Sequence, residues 1–444
     1  MVSRSKKSIF YTVLTNICRI LLALVLVLSG FVKAVDPKGT MYKLQEYANA
    51  FSIEVFSSDW LLFFAIILAA AEFLIGVFLL MGAYRKFMAF LAFLVFVLFT
   101  PFTLYVAITD AVPDCGCFGD AIGMSNMASF LKNLFLLLLA VIVFLGRKRF
   151  VVNITSKNRW MIVLFAFFYI AFVETISLSY VPVLDFRNYA VGNNLRELVQ
   201  GENDIYRVVM TYKKDSVLRD FAQDSLPDET WRFVGNRSEL VAEGRKPVIG
   251  DFSILDWESD YDMSDDILAD TGYVCMLVAE YLEEASVGRV DKINDLYDYS
   301  LEHNVSFFAV TSSDEENIAL WRKRTGAEYP VYWADNMMLR GMVRANPGVL
   351  LLNNGVIVGK WNVNHMPGAE KMMSSAVRKE NMYGALDIEA WLFWLFLFAA
   401  PVMLIVLIDL ATGRRKKPVA QVKEILSQEP AVVDVQECEK ESLE

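Results

Sequence analysis

Histidine is almost absent from this chain: of 444 residues only His303 and His365 carry an imidazole, and they stand far apart. That excludes bis-histidine haem ligation and a His-rich zinc site. A Gly-rich phosphate loop is missing, as is a Ser/His/Asp set. Positive charge is not in excess either. With 42 Lys and Arg against 52 Asp and Glu the net charge is −10, so the basic footprint of a nucleic-acid binder is absent. The acidity lies between about residues 182 and 388, densest over Asp256–Asp270, where it serves solubility. Cysteine is sparse, with Cys18, Cys115, Cys117, Cys275 and Cys438, and only Cys115 and Cys117 are close in sequence.

What the chain has in quantity is apolar surface: 55% hydrophobic residues and 13% aromatics, too much for an ordinary soluble protein. Six stretches, at about 10–33, 60–82, 87–109, 128–146, 160–181 and 390–411, reach the ~20 residues that a bilayer crossing takes. The first follows Arg4, Lys6 and Lys7 and ends on Val32-Lys33-Ala34, which weakly resembles a cleavage site. Its apolar run is too long for a signal peptide, and it reads as an anchor that stays. Basic residues set the orientation. Arg4/Lys6/Lys7, Arg85/Lys86, Arg147/Lys148/Arg149 with Lys157/Arg159, and Arg414/Arg415/Lys416/Lys417 all fall on the cytoplasmic face if the N-terminus is cytoplasmic and six spans cross. The expected location is a bacterial inner membrane, with both termini cytoplasmic and the Cys115/Cys117 loop and the large segment periplasmic.

The expected division runs as follows: a four-helix membrane unit over 1–150, a fifth span at 160–181 and a linker or accessory segment over 182–244. An α/β domain over 245–370, a sixth span at 390–411 and an acidic, disordered tail over 412–444 complete it. Within 245–365 the apolar run Tyr273–Ala279 suits a buried central strand. Helical and strand-like stretches then alternate at 291–303, 305–311 and 313–325. The strands 349–352 and 356–361, joined by Asn353-Asn354-Gly355, read as a hairpin. The order βαβαββ describes an α/β sandwich.

The chemistry centres on Asp114-Cys115-Gly116-Cys117-Phe118-Gly119-Asp120, between two spans. Residues two apart have Cα atoms roughly 5.5–7 Å apart, within reach of a disulfide. Gly116 lets the backbone fold tightly enough to close the small ring. Strained, exposed disulfides are the labile ones, and an outer face is oxidising. Asp114 and Asp120 are expected to raise the thiol pKa values. A static disulfide, or a pair of half-buried thiols, is the plainer alternative. Glu72, near the middle of its span, either accepts a proton during redox chemistry or is a neutral acid holding helices together. Lys33 is expected to snorkel to the interface, and Glu174 to sit there as well. Cys275 reads as a small buried hydrophobe.

Ser29-Gly30-Phe31-Val32-Lys33-Ala34-Val35-Asp36-Pro37, Glu72-Phe73-Leu74-Ile75-Gly76 and Cys115-Gly116-Cys117-Phe118-Gly119 occur in that order. Together they resemble the signatures of the DoxX-like and methylamine-utilisation MauE-like membrane families. The resemblance implies a part in maturing a disulfide-rich periplasmic protein beside a thioredoxin-like partner. Arg340-Gly341 through Asn346-Pro347-Gly348, with the hairpin that follows, resembles the C-terminal half of a thioredoxin fold, which implies a cis-proline at Pro347. Gly250-Asp251-Phe252-Ser253 resembles the lead-in of membrane-anchored TlpA-type proteins. Where active thioredoxins carry Cys-x-x-Cys, this chain has Glu280-Tyr281-Leu282-Glu283-Glu284.

The expected fold class is thus an α-helical membrane bundle, a four-helix DoxX/MauE-like unit plus two further spans, with an inserted α/β thioredoxin-like domain. The expected function is thiol–disulfide redox maturation of exported proteins. Cys115 and Cys117 exchange, Glu72, Lys33, Asp114, Gly116, Phe118, Gly119 and Pro347 support them, and the α/β domain docks a periplasmic client or thioredoxin-like partner. Electrons would pass to a membrane acceptor such as a quinone, for which no motif exists. The alternative is a non-catalytic scaffold or assembly subunit whose degenerate domain binds a periplasmic partner. A transporter has less behind it, since paired half-helices and an inverted repeat are missing.

Overall fold

The structure, a computed structural model, describes residues 2–412 apart from 54–56, 153, 202–204, 215–216, 223–225, 229, 245 and 378–387. The expected tail over 412–444 lies outside the described residues except for Thr412.

Apolar composition and length make six helices membrane-spanning: α1 (Val2–Val35), α3 (Ser58–Met81), α4 (Arg85–Thr109), α5 (Asn126–Gly146), α6 (Arg159–Ser179) and α13 (Ile388–Thr412). The protein is a multi-pass membrane protein. Between α1 and α3 the chain forms an extra helix, α2 (Pro37–Ala50), which the hydropathy pattern does not announce. Its local cause is Asp36-Pro37. The Asp36 carboxylate accepts from the Gly39 amide at 2.9 Å, and Pro37 takes the first helical position, where the missing N–H is no loss.

α1 and α3 cross most closely. A Cβ added at Gly30 would strike the Phe73 backbone nitrogen, and one at Gly76 would come within 2.7 Å of the Val27 nitrogen. Small residues permit this approach where lipid supplies no hydrophobic drive. Among the described residues, Arg85, Lys148 and Arg159 gather at one end, where Arg19 donates to the Val151 carbonyl at 2.7 Å. At that end Asn158 donates to Asp409 of α13 at 2.9 Å. The cysteine loop and the α/β region lie at the other end.

The segment expected as a linker carries α7 (Leu195–Gln200) and a three-stranded antiparallel sheet of β1 (Ile205–Lys214), β2 (Val217–Ala222) and β3 (Arg232–Ala242), in the order β2-β1-β3. Only Val209 in these strands is buried. With both faces wet, the strands lack the one-sided apolar alternation that betrays a strand in sequence.

The α/β domain follows: β4 (Ile254–Leu255), α8 (Ser264–Ala269), β5 (Tyr273–Ala279), α9 (Val290–Glu302), β6 (Ser306–Thr311), α10 (Glu315–Thr325), β7 (Val331–Ala334), α11 (Asn336–Met342), β8 (Gly348–Asn353), β9 (Val356–Asn362) and α12 (Ala369–Val377). The sheet order is β4-β7-β6-β5-β8-β9. β5, β6 and β7 run parallel, and the β8–β9 hairpin is antiparallel beside β5. A parallel βαβ unit flanked by an antiparallel hairpin, with the Asn346–Pro347 peptide cis just before β8, is the thioredoxin-like arrangement. The strands missing from the expected order are the four-residue β7 and the two-residue β4, too short to carry a period. Helices cover both faces, so β5 is buried along nearly its whole length. Cys275 is among those residues, 1% exposed.

The domain is tied to the bundle. Asp185, just after α6, bonds Arg187 and Lys360 of β9, both at 2.7 Å.

Candidate functional site

The loop between α4 and α5 is shaped by its own residues. The Asp114 carboxylate accepts from the Gly116 amide at 2.9 Å, and the Gly119 amide donates to the Gly116 carbonyl at 3.0 Å. Gly116 has φ +60° and Gly119 φ +53°, left-handed backbone that glycine adopts without strain. At Gly116 a Cβ would also come within 3.0 Å of Lys43. This turn places the two thiols side by side, with Sγ atoms 2.7 Å apart and neither cysteine in a disulfide. From there a disulfide is a matter of side-chain rotation. Cys115 is buried and Cys117 half-buried.

Below the loop lies an ion pair inside the bundle. Lys33 of α1 bonds Glu72 of α3 at 2.7 Å, each side chain 8% exposed. The Lys33 ammonium also donates to the Cys117 carbonyl at 2.9 Å and to the Ser29 hydroxyl at 2.8 Å. The Ser29 hydroxyl stands 2.8 Å from Glu72 and 2.9 Å from that same carbonyl. Lys33 therefore does not snorkel. It turns inward because Glu72, buried one helix away, offers a counter-charge that lipid cannot. Glu72 accepts from both Lys33 and Ser29. From α2, Tyr47 donates to the Cys115 carbonyl at 2.7 Å and Lys43 pairs with Asp114 at 3.2 Å. Lys132 of α5 lies over the Phe118 ring at 4.4 Å.

These partners set the thiols apart. Hydrogen bonding from Cys115, with Lys132 and Lys33 nearby, brings the Cys117 thiol down to about 6 against burial. Cys115 is pushed far up by its bond to Cys117, by burial and by the neighbouring negative charge. The expectation that Asp114 and Asp120 raise both thiols is therefore corrected for Cys117. Those carboxylates are engaged by Lys43 and Arg344, while the cations face Cys117. These surroundings favour Cys117 over Cys115 as the thiolate, and so as the nucleophile.

Residues 11–146 match the family of the methylamine utilisation protein MauE. The matched MauE-like segment contains the whole of this constellation: α1 to α5, the loop and the Lys33–Glu72 pair. Residues 206–243, the exposed three-stranded sheet, match a domain of unknown function, DUF8463. No curated protein matches the chain. Among solved structures, a protein from Bacteroides thetaiotaomicron described as a disulfide isomerase is similar at 17% identity. The likeness covers 30% of this chain and 86% of that one, with a TM-score of 0.22.

The thioredoxin-like domain meets the MauE-like unit through the face beside Pro347. Arg344 bonds Asp36 at 2.9 Å and Asp120 at 2.8 Å. Tyr42 of α2 donates at 3.0 Å to Glu280, which also pairs with Arg340 at 2.6 Å. Burial pushes the Asp36 carboxyl up, but Arg344 and Arg187 more than offset it and hold it below the usual range. Glu280 just after β5 and Arg344 just before the cis-Pro347 thus bond to Tyr42 of α2, to Asp36 and to Asp120 of the cysteine loop. Glu174, near the end of α6, is buried within the protein, 5% exposed, and its Oε1 lacks a hydrogen-bond partner among the described residues.

Sequence reading missed Lys132, Tyr47, Lys43, Asp36 and Arg344. Asp36-Pro37, a helix-start signal, is the one cue that announces α2. The others became visible only through contacts distant in sequence.

A pH titration of alkylation checks the asymmetry. With the pair reduced, iodoacetamide labelling of Cys117, located by mass spectrometry, should rise with pH around a midpoint near 6, while Cys115 stays unlabelled until strongly alkaline pH. Lys132→Gln should move the Cys117 midpoint up by about one unit. Equal labelling of both thiols with an ordinary thiol midpoint would remove the nucleophile assignment.

Proposed function

We propose that this protein is a membrane thiol–disulfide exchange protein that serves the redox maturation of exported proteins: a client thiolate attacks the Cys115–Cys117 disulfide at Cys117 and releases Cys115 as a thiol, and the client's second thiol then closes the client disulfide and frees Cys117 as a thiolate. The observation that carries this reading is the pair itself: two thiols with Sγ atoms 2.7 Å apart, on a loop whose Cys117 carbonyl is held by the Lys33–Glu72 ion pair. The MauE match supports a redox or assembly role. The basic-residue pattern puts the loop and the α/β region on the periplasmic side of a bacterial inner membrane, where disulfides form. A groove of about 360 Å³ between α2, the loop and α11, lined by Lys43, Asp114, Asp120, Arg340 and Arg344, is where a client or a separate thioredoxin-like partner would lie. The α/β domain forms one wall of it and docks the client without a Cys-x-x-Cys of its own.

In cells carrying Cys115→Ser/Cys117→Ser, clients of this protein should accumulate reduced, as read by thiol tagging after acid quench. Client oxidation unchanged from wild type would sink the reading. One observation favours a second: the domain face beside Pro347 is occupied by the protein's own α2 and lacks cysteines. A non-catalytic assembly subunit would tolerate the double cysteine replacement and fail instead on Arg344→Glu.

A further inference from the structure

We propose that the apolar cavity beneath the cysteine loop is a binding site for a membrane quinone, which takes the two electrons released when Cys115 and Cys117 close into a disulfide. The inference rests on the redox reading of the pair and adds its oxidant.

The cavity measures about 380 Å³, within the range of about 300–1,000 Å³ usual for small-molecule sites. Its lining changes character along its depth. At the loop end it presents both thiols, Lys33, Glu72 and Lys132; away from the loop its walls are Leu68 of α3 and Val95, Leu98 and Phe99 of α4. α4 packs far more against α5 than against α3. At the loose seam Leu98, which lines the cavity, is 62% exposed, so the cavity reaches the side of the bundle where lipid chains run. A ligand entering there must itself be dissolved in the bilayer. The polar end then calls for a small head with hydrogen-bond acceptors, since Lys132 is a donor there and Lys33 adds positive charge. The thiols at that same end call for a two-electron acceptor. A quinone ring on an apolar tail meets all three conditions, whereas a plain acyl chain would leave the polar end unused.

The chemistry balances. Cys115–SH and the Cys117 thiolate form one S–S bond, releasing two electrons and the Cys115 proton. The quinone takes both electrons, that proton and a second from the Lys132 ammonium, which is reprotonated from water, and leaves as quinol.

The test uses the full chain, purified in detergent, reduced, freed of reductant and mixed anaerobically with decylubiquinone. One quinol should form per cysteine pair oxidised. Binding is read separately in the Cys115→Ser/Cys117→Ser chain, which cannot transfer electrons. There decylubiquinone should still bind, and Val95→Trp should weaken binding by about tenfold or more, a loss of about 1.4 kcal/mol. Leu98→Trp at the seam is the second variant if Val95→Trp fails to fold. A pair that exchanges with oxidised glutathione but is untouched by decylubiquinone overturns the quinone site and leaves the redox reading standing. A pair inert to both, in a chain that binds decylubiquinone, overturns the electron transfer and the redox reading together. Displacement of decylubiquinone by an equal concentration of phospholipid would mark an acyl-chain pocket and overturn the proposal.

Discussion

Replacing Cys117 by serine is expected to lower thiol exchange by at least about a thousandfold, because the hydroxyl left behind is not a nucleophile of thiolate strength at working pH. Cys115→Ser should behave differently. It keeps the attacking sulfur but removes the group that resolves the mixed disulfide, so a covalent adduct with a client or glutathione should accumulate on Cys117. Non-reducing electrophoresis and intact mass measurement separate the two outcomes. The asymmetry follows from the surroundings: Lys132 and Lys33 favour negative charge on Cys117, while its bond to Cys117 and burial push the Cys115 thiol up. Adducts on Cys115 in the Cys117→Ser chain would reverse the assignment. A disulfide that survives in the wild type under every reducing condition would make the pair structural.

The second large effect concerns Lys33 and Glu72. Either Lys33→Met or Glu72→Leu leaves the other charge alone inside the bundle, and breaking a buried pair in this way destabilises by about 3–5 kcal/mol. The double replacement removes both charges together and should recover much of the loss, since two apolar side chains suit the spanning region. Exchange activity should not recover with it. Lys33 and Ser29 hold the Cys117 carbonyl at 2.9 Å, and without Lys33 the loop loses both its anchor and one of the cations facing the thiolate. Thermal unfolding in detergent reads the first effect and the glutathione exchange rate the second. Single variants as stable as wild type would show that the pair is solvated rather than enclosed. A double variant with full activity would deny Lys33 its positioning role.

Much of the architecture was legible because it is local. The six spans are written as runs of apolar residues with basic ends, a signal that needs no tertiary context. The β5 and β8–β9 strands were legible through a short apolar run and an Asn-Gly turn. The three-stranded sheet was not, because strands wet on both faces lose their alternation, and β7 was too short to show any. α2 is a different kind of miss. Asp36-Pro37 announces a helix start, but its importance lies in presenting Tyr42, Lys43 and Tyr47 to partners from about 70 to 240 residues away, which no local pattern encodes.

The candidate site divides in the same way. The sequence by itself determined that two thiols sit in a glycine-bent loop between membrane spans, and that the α/β domain lacks the dithiol of an active thioredoxin. Both are facts of order and spacing along the chain. Only the tertiary structure decided the charge around the thiols. Asp114 and Asp120, adjacent in sequence, are taken up by Lys43 and Arg344, while Lys33 and Lys132, remote in sequence, face Cys117. Electrostatic energy depends on distance through space and on the burial that sets the dielectric response, and a linear sequence records neither.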